Sequence, residues 1–321
     1  FAAPEGYASF YISHYGRHGS RWMPNDSRYV WVNQHFADNS NLTPLGKKVK
    51  KLLMRVWDNA RGNGGKLSRL GELQHRGIAD RMFHSFPQIF APGNHVQARS
   101  SVVDRCAKSM LAFTDELRQL QPGLDLEVKT DSADMDWIAY TSPEVKALEN
   151  RTKVTAKVST DRFMHQLFKD ISKVDDPMKL MGELQTVASS IQDVGLNFKR
   201  YPKDIEEGLN ALFTDEEFRA FYEANNLRMT ICNGNYPTNE DIPARSAISL
   251  WDNFVAEADK ALASNKPSAT LRFGHDTSLY RLLSLFNFVK PLYQVGDSIP
   301  EKEIVLVDNV DLMDRVVPMA S

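Results

Sequence analysis

Cysteine is scarce in these 321 residues, with only Cys106 and Cys232 present. Two cysteines cannot build a disulfide framework. One bridge between them is the most the chain allows, and two separate buried thiols is the plainer reading. No Cys/His cluster has the spacing of a zinc site, so no metal is expected. A basic surplus is also lacking. With 39 Lys and Arg against 41 Asp and Glu, the formal net charge is -2. That weighs against a general nucleic-acid binder and leaves room for a local basic pocket. No window approaches the roughly 18 apolar residues of a membrane span. Internal repeats and long low-complexity stretches are missing too. The chain opens on Phe1-Ala2-Ala3-Pro4 without an initiator Met, which points to a signal peptide or tag removed before this start.

What is present has ordinary globular composition, 42% hydrophobic and 25% charged. The length suits one large domain or a domain with an insertion. Tyr7–Ser13 is aromatic and β-branched and reads as a short buried strand. Pro44 opens a helix with Val49, Leu52, Leu53 and Val56 at helical spacing, and a second helix starts near Leu70. His95–Arg99 reads as another strand, followed by a helix from about Val103 to Leu120. From about Asp131 to Ile242 the pattern turns helical, with a helix start at Ser142-Pro143 and a capping box at Thr214–Glu217. Strand and helix then alternate again. Ala244–Ala263 is an amphipathic helix, Ala269–Phe273 a strand and Ser278–Phe286 a helix. Two late strands are expected at Glu303–Asp308 and Arg315–Val317. This grammar predicts an α/β fold with a mixed, mainly parallel sheet flanked by helices. Residues 1–130 and 244–321 would form the core, and residues 131–243 an inserted helical cap.

Three polar clusters follow predicted strands. They are Arg17-His18-Gly19-Ser20-Arg21, Arg99-Ser100-Ser101 and Gly274-His275-Asp276. In an open α/β sheet, ligands bind beyond the carboxyl ends of the strands. Three arginines converging there fit a phosphoryl dianion, because each guanidinium donates two parallel hydrogen bonds. Neighbouring positive charge disfavours an imidazolium at His18, and a neutral imidazole is what attack on phosphorus requires. Asp276 must carry a proton to act as general acid, so activity should favour acidic pH. Gly19 would let the backbone approach the phosphate. His14 and His18 lie four apart, but a strand followed by a glycine turn is not the helix a metal pair needs; His14 reads as a packing or pocket-wall residue.

At these residues the chain resembles the histidine acid phosphatase branch of the histidine phosphatase superfamily, which includes acid phosphatases, phytases and multiple inositol polyphosphate phosphatases. The resemblance covers about 1–125 and 245–320. Arg17–Arg21 matches R-H-G-x-R, Leu67–Gln74 resembles L-T-x-x-G-x-x-Q, and His275-Asp276 matches the H-D pair. Arg99-Ser100-Ser101, with Asp104-Arg105 and Ser109 following, matches the strand and helix that carry the third phosphate-binding arginine. The resemblance implies a phosphomonoesterase acting through a phosphohistidine at His18. Arg17, Arg21, Arg99 and His275 would clamp the phosphate and Asp276 would donate the proton. It implies no cofactor and a small phosphomonoester as partner. The few cysteines suggest a bacterial exported enzyme, periplasmic or secreted. Pro24 comes one residue later than the family's pattern, and inositol polyphosphate phosphatases usually carry H-A-E where His275-Asp276 stands. A phosphoglycerate-mutase-like transferase and a silent phosphate-binding module are the competing readings. The first usually takes its acid from elsewhere, and the second would lack a nucleophile or an acid.

Overall fold

The computed structural model describes residues 5–286. The two late strands expected at 303–308 and 315–317 lie outside the described residues. Four strands form one sheet: β1 (Tyr11–Arg17), β2 (His95–Ser100), β3 (Asp125–Thr130) and β4 (Ser268–Gly274). Their order is β1-β4-β2-β3 and every pairing is parallel. The expected α/β class is therefore found, and among the described residues the sheet is wholly parallel rather than mixed. Parallel strands need long crossovers, which helices provide. The helix Asp104–Leu120 joins β2 to β3 in this way.

The described residues form two compact units. One comprises 5–18, 72–154 and 225–286; the other comprises 19–71 and 155–224. This division differs from the boundaries expected from the sequence. Residues 131–154 and 225–243 belong with the sheet rather than with a cap, and 19–71 share a unit with 155–224. The physical reason is where the apolar faces are buried. In the helix Pro44–Ala60, Val49, Leu52, Leu53 and Val56 share a core with Phe163, Leu184 and Ile205 of later helices, not with the sheet.

In the sheet-bearing unit, both faces are covered. On one face Ala98, Leu271 and Phe273 pack with Met110, Phe113 and Leu117 of the helix Asp104–Leu120. On the other, Tyr15 packs with Ile138, Ala247, Leu250 and Leu282. Arg272 is fully buried on β4, where its Nε donates to Asn253 Oδ1 (2.7 Å) and its Nη1 to Ser13 Oγ (3.0 Å). Burial pulls its pKa down, and these bonds let the charge persist in the interior. Both cysteines are free and buried. Among the described residues no helix is long and apolar enough to cross a membrane.

Candidate active site

The register of the sheet brings the carboxyl ends of β1 and β4 level, with Arg17 opposite Gly274. The chain turns sharply at both ends. His18 N–H donates to Gly274 O (3.0 Å), extending the pairing by one residue. After Gly274 only His275 intervenes before the helix Asp276–Phe286 begins. That shortness sets the side chains. His18 and His275 meet edge to face with ring centroids 5.7 Å apart, and His18 is only 5% exposed. Arg17 Nε lies 3.2 Å from Asp276 Oδ2. Asp276 Oδ1 accepts the Thr277 N–H (2.9 Å), so the carboxylate is held from both sides at the positive end of its helix.

His275 is supported from β2 and the helix after it. Its Nε2 lies 3.4 Å from Ser101 Oγ and 3.7 Å from Cys106 Sγ. The Cys106 thiol also donates to Gly274 O (3.2 Å), and burial raises its pKa. It is a packing thiol rather than a nucleophile. His75, on the helix Arg69–Ser85, is almost fully buried, rests on Phe273 and bonds to the Arg17 backbone. Burial lowers its pKa to about 4. His14 is likewise lowered to about 4, by burial first and then by the charges of His75 and Arg272. It packs between Phe113 and Phe273, as a packing histidine should.

Arg99 is placed differently from the expectation. Its Cα pairs with Arg272, two residues short of the level reached by Gly274. Its Nη2 is bound to Glu127 Oε1 on β3 (2.7 Å), although its Nη1 is buried without a partner. A second arginine, which the sequence pattern left without a role, stands closer to the cluster in the chain. Arg105 opens the helix Asp104–Leu120 one residue before Cys106, and its Nε is buried without a partner. The cap residue of that helix, Val103, offers no side-chain bond to its first turn. Both features suit an anion there. The signal for Arg105 lay in the strand–turn–helix order, since a helix N-terminus after β2 is the place for an anion ligand.

Arg21 belongs to the second unit. Its Nη1 donates to Trp22 O (2.8 Å), and its backbone bridges Leu67. Gly19 has a structural reason unlike the one expected. A Cβ there would sit 2.6 Å from Gly71 Cα, so the two glycines allow backbone to meet backbone. The hydroxyl of Ser68 locks the same junction by donating to Ser20 O (2.9 Å) and accepting from Gly71 N–H (3.1 Å). Ser68 and Gly71 of the Leu67–Gln74 motif thus pack against Gly19-Ser20. Among the described residues, no three His, Cys, Asp or Glu side chains gather as a metal site.

No family model matches the chain. Over 237 residues it is 24% identical to multiple inositol polyphosphate phosphatase 1 of Gallus gallus, covering 70% of this chain and 52% of that protein. The chain thus spans about half the length of the curated relative it matches. Among solved structures it is similar to the Bifidobacterium longum multiple inositol polyphosphate phosphatase in complex with phosphate. That match has a TM-score of 0.70 at 15% identity and covers 90% of this chain and 76% of the other. The same protein in complex with inositol hexasulfate gives a TM-score of 0.68 at 16% identity, covering 89% and 77%. The phytase of D. castellii gives 0.58 at 14% identity, covering 84% and 60%. With the motifs at His18 and His275-Asp276, these likenesses show a chain that has the fold of, and resembles in sequence, the histidine acid phosphatase branch of the histidine phosphatase superfamily.

Proposed function

We propose that this chain is a phosphomonoester hydrolase working through a phosphohistidine at His18. The observation that carries the reading is the convergence of the His18–His275 pair and the Arg17–Asp276 pair on adjacent strand ends. A ring nitrogen of His18 attacks phosphorus, and the bond from phosphorus to the ester oxygen breaks. Asp276 gives its proton to that oxygen as it leaves. Water then attacks the phosphohistidine, the Asp276 carboxylate takes its proton, and phosphate departs with His18 restored. Arg17 meets Asp276 through Nε, which leaves its terminal Nη pair for two phosphoryl oxygens. His275 adds a donor beside the nucleophile. Arg21 is assigned to the phosphate through its place in the Arg17–Arg21 motif.

The third arginine is supplied by Arg105 or by Arg99. Geometry favours Arg105, because Glu127 already engages Arg99. Inositol polyphosphates are the substrate class this reading puts first, by analogy with the inositol polyphosphate phosphatases of chicken and Bifidobacterium longum that the chain resembles. The paucity of cysteine fits a bacterial exported enzyme. The test is a panel of phosphomonoesters, including inositol hexakisphosphate, sugar phosphates and 2-phosphoglycerate, assayed for released phosphate with wild type and His18→Ala. Free phosphate from wild type and none from the variant is expected. Phosphoryl exchange between glycerates without hydrolysis, or binding without turnover, contradicts the proposal.

A further inference from the structure

The peptide unit joining Gly274 to His275 is held on both sides by one strand. Its carbonyl accepts the His18 N–H (3.0 Å). Its amide, on His275, donates to the hydroxyl of Tyr15 (3.2 Å). Both partners come from β1 and the residue that follows it. The Tyr15 hydroxyl in turn donates to Ile138 O (2.7 Å), at the end of the short helix Met135–Ile138. It also bonds to Ser278 in the first turn of the helix that carries Asp276. One donor and two acceptors exhaust a phenol's hydrogen-bonding capacity, so the group is fully committed. Tyr15 is 9% exposed, and its pKa is pushed up to about 12, chiefly by burial. It remains a neutral hydroxyl across any working pH.

The fit is tight enough to dictate a neighbour. A Cβ added at Gly274 would overlap the Tyr15 hydroxyl. Glycine at 274 therefore makes room for the phenol, and the phenol accepts the backbone N–H of His275. The peptide before His275 is thereby fixed relative to β1, which His18 directly follows. The next residue, Asp276, is placed by the same turn.

We infer that Tyr15 is a positioning residue: its hydroxyl clamps the Gly274–His275 peptide so that His275 and Asp276 face His18 in working geometry. The inference rests on the proposed phosphatase reading for its kinetic consequence but not for its structural one.

The experiment compares wild type with Tyr15→Phe, which keeps the ring and removes the hydroxyl with its bonds to the His275 amide, Ile138 O and Ser278. Exchange of the His275 amide is followed in protein labelled with nitrogen-15 at histidine. Turnover is measured on a sugar phosphate and on p-nitrophenyl phosphate, per active site titrated by the phosphohistidine burst. The His275 amide should exchange about tenfold faster in the variant, as loss of one buried hydrogen bond predicts. The kcat on the sugar phosphate should fall about tenfold, with KM changed less than about twofold. The nitrophenyl substrate should lose much less, because its leaving group needs the Asp276 proton less. A residue that merely stabilised the fold would lower the fraction of active protein and leave the ratio of the two turnovers untouched. Unchanged exchange together with an unchanged ratio overturns the inference. Should wild type release no phosphate from any ester, the functional reading fails by itself. The exchange measurement then decides the clamp, with faster exchange upholding it and unchanged exchange refuting it.

Discussion

Arg99 and Arg105 are the two candidates for a third phosphate-binding arginine, and their surroundings differ. Polar Ser100 and Ser101 suggest a turn just after Arg99, which would place that guanidinium at the strand end. The strand instead runs through Ser100, whose buried hydroxyl bonds to Thr130 Oγ1 on β3 (2.7 Å). The turn begins later, and Arg105 stands in the first turn of the helix after it. Loss of a charge-assisted hydrogen bond to substrate costs about 1.5–3 kcal/mol, or about 10- to 100-fold. Arg105→Ala should lower kcat/KM by about that factor and weaken inhibition by free phosphate in parallel. Arg99→Ala should cost less than about threefold in kcat/KM, because its main partner is Glu127. Steady-state kinetics on both variants decides, and a larger loss at Arg99 would return the phosphate contact to it. The clustering of His18, His275 and Asp276 was legible because each sits within a residue or two of a strand's end. Tyr15 was not, because nothing in the sequence says that a phenol on β1 reaches the turn after β4.

At the scale of elements, strand ends were read less well than strand identity. β1 was expected at Tyr7–Ser13 and is found at Tyr11–Arg17, four residues later. Tyr7–Ser13 is richer in aromatic residues, whereas the strand includes His14, Gly16 and Arg17, whose backbone pairs with β4. β3 went unread because Asp125–Thr130 alternates charged and apolar residues on an exposed edge. Helix starts were clearer. Thr43 accepts the Gly46 N–H (3.0 Å), and Thr214 and Glu217 bond reciprocally as a capping box. The histidines on β1 and on the helix Arg69–Ser85 also have an energetic consequence. His14 and His75 are held near pKa 4 in the folded state, against 6.5 for the free side chain. Between these values the unfolded chain binds protons that the folded chain refuses, so stability falls as pH drops from about 6.5 to 4. The loss is on the order of 3 kcal/mol for each histidine at most. Urea midpoints should therefore decline from pH 7 to pH 4.5. His14→Leu should flatten that decline by about half, since its buried Nδ1 has no partner to lose. A midpoint independent of pH in wild type would show that these imidazoles are not buried neutral.

For the whole molecule, helical content in the middle of the chain was legible from periodicity, but its partition was not. Which helices share a core depends on contacts far apart in sequence. Leu42 bridging Phe168 and the Arg162–Glu217 pair are examples that no local pattern announces. The chain passes between its two units at residues 18, 71, 154 and 224, and the first of these crossings follows His18 itself. The proposed nucleophile is thus the last residue of the sheet-bearing unit before the chain leaves it. The most direct test of the account is chemical. Wild-type protein mixed with a phosphomonoester carrying labelled phosphorus is quenched within milliseconds in alkali, digested and sequenced by mass spectrometry. The account predicts label on the imidazole of His18, stable in alkali, released by acid and missing from His18→Ala. Release of phosphate with label on another residue, or turnover retained in His18→Ala, would contradict it.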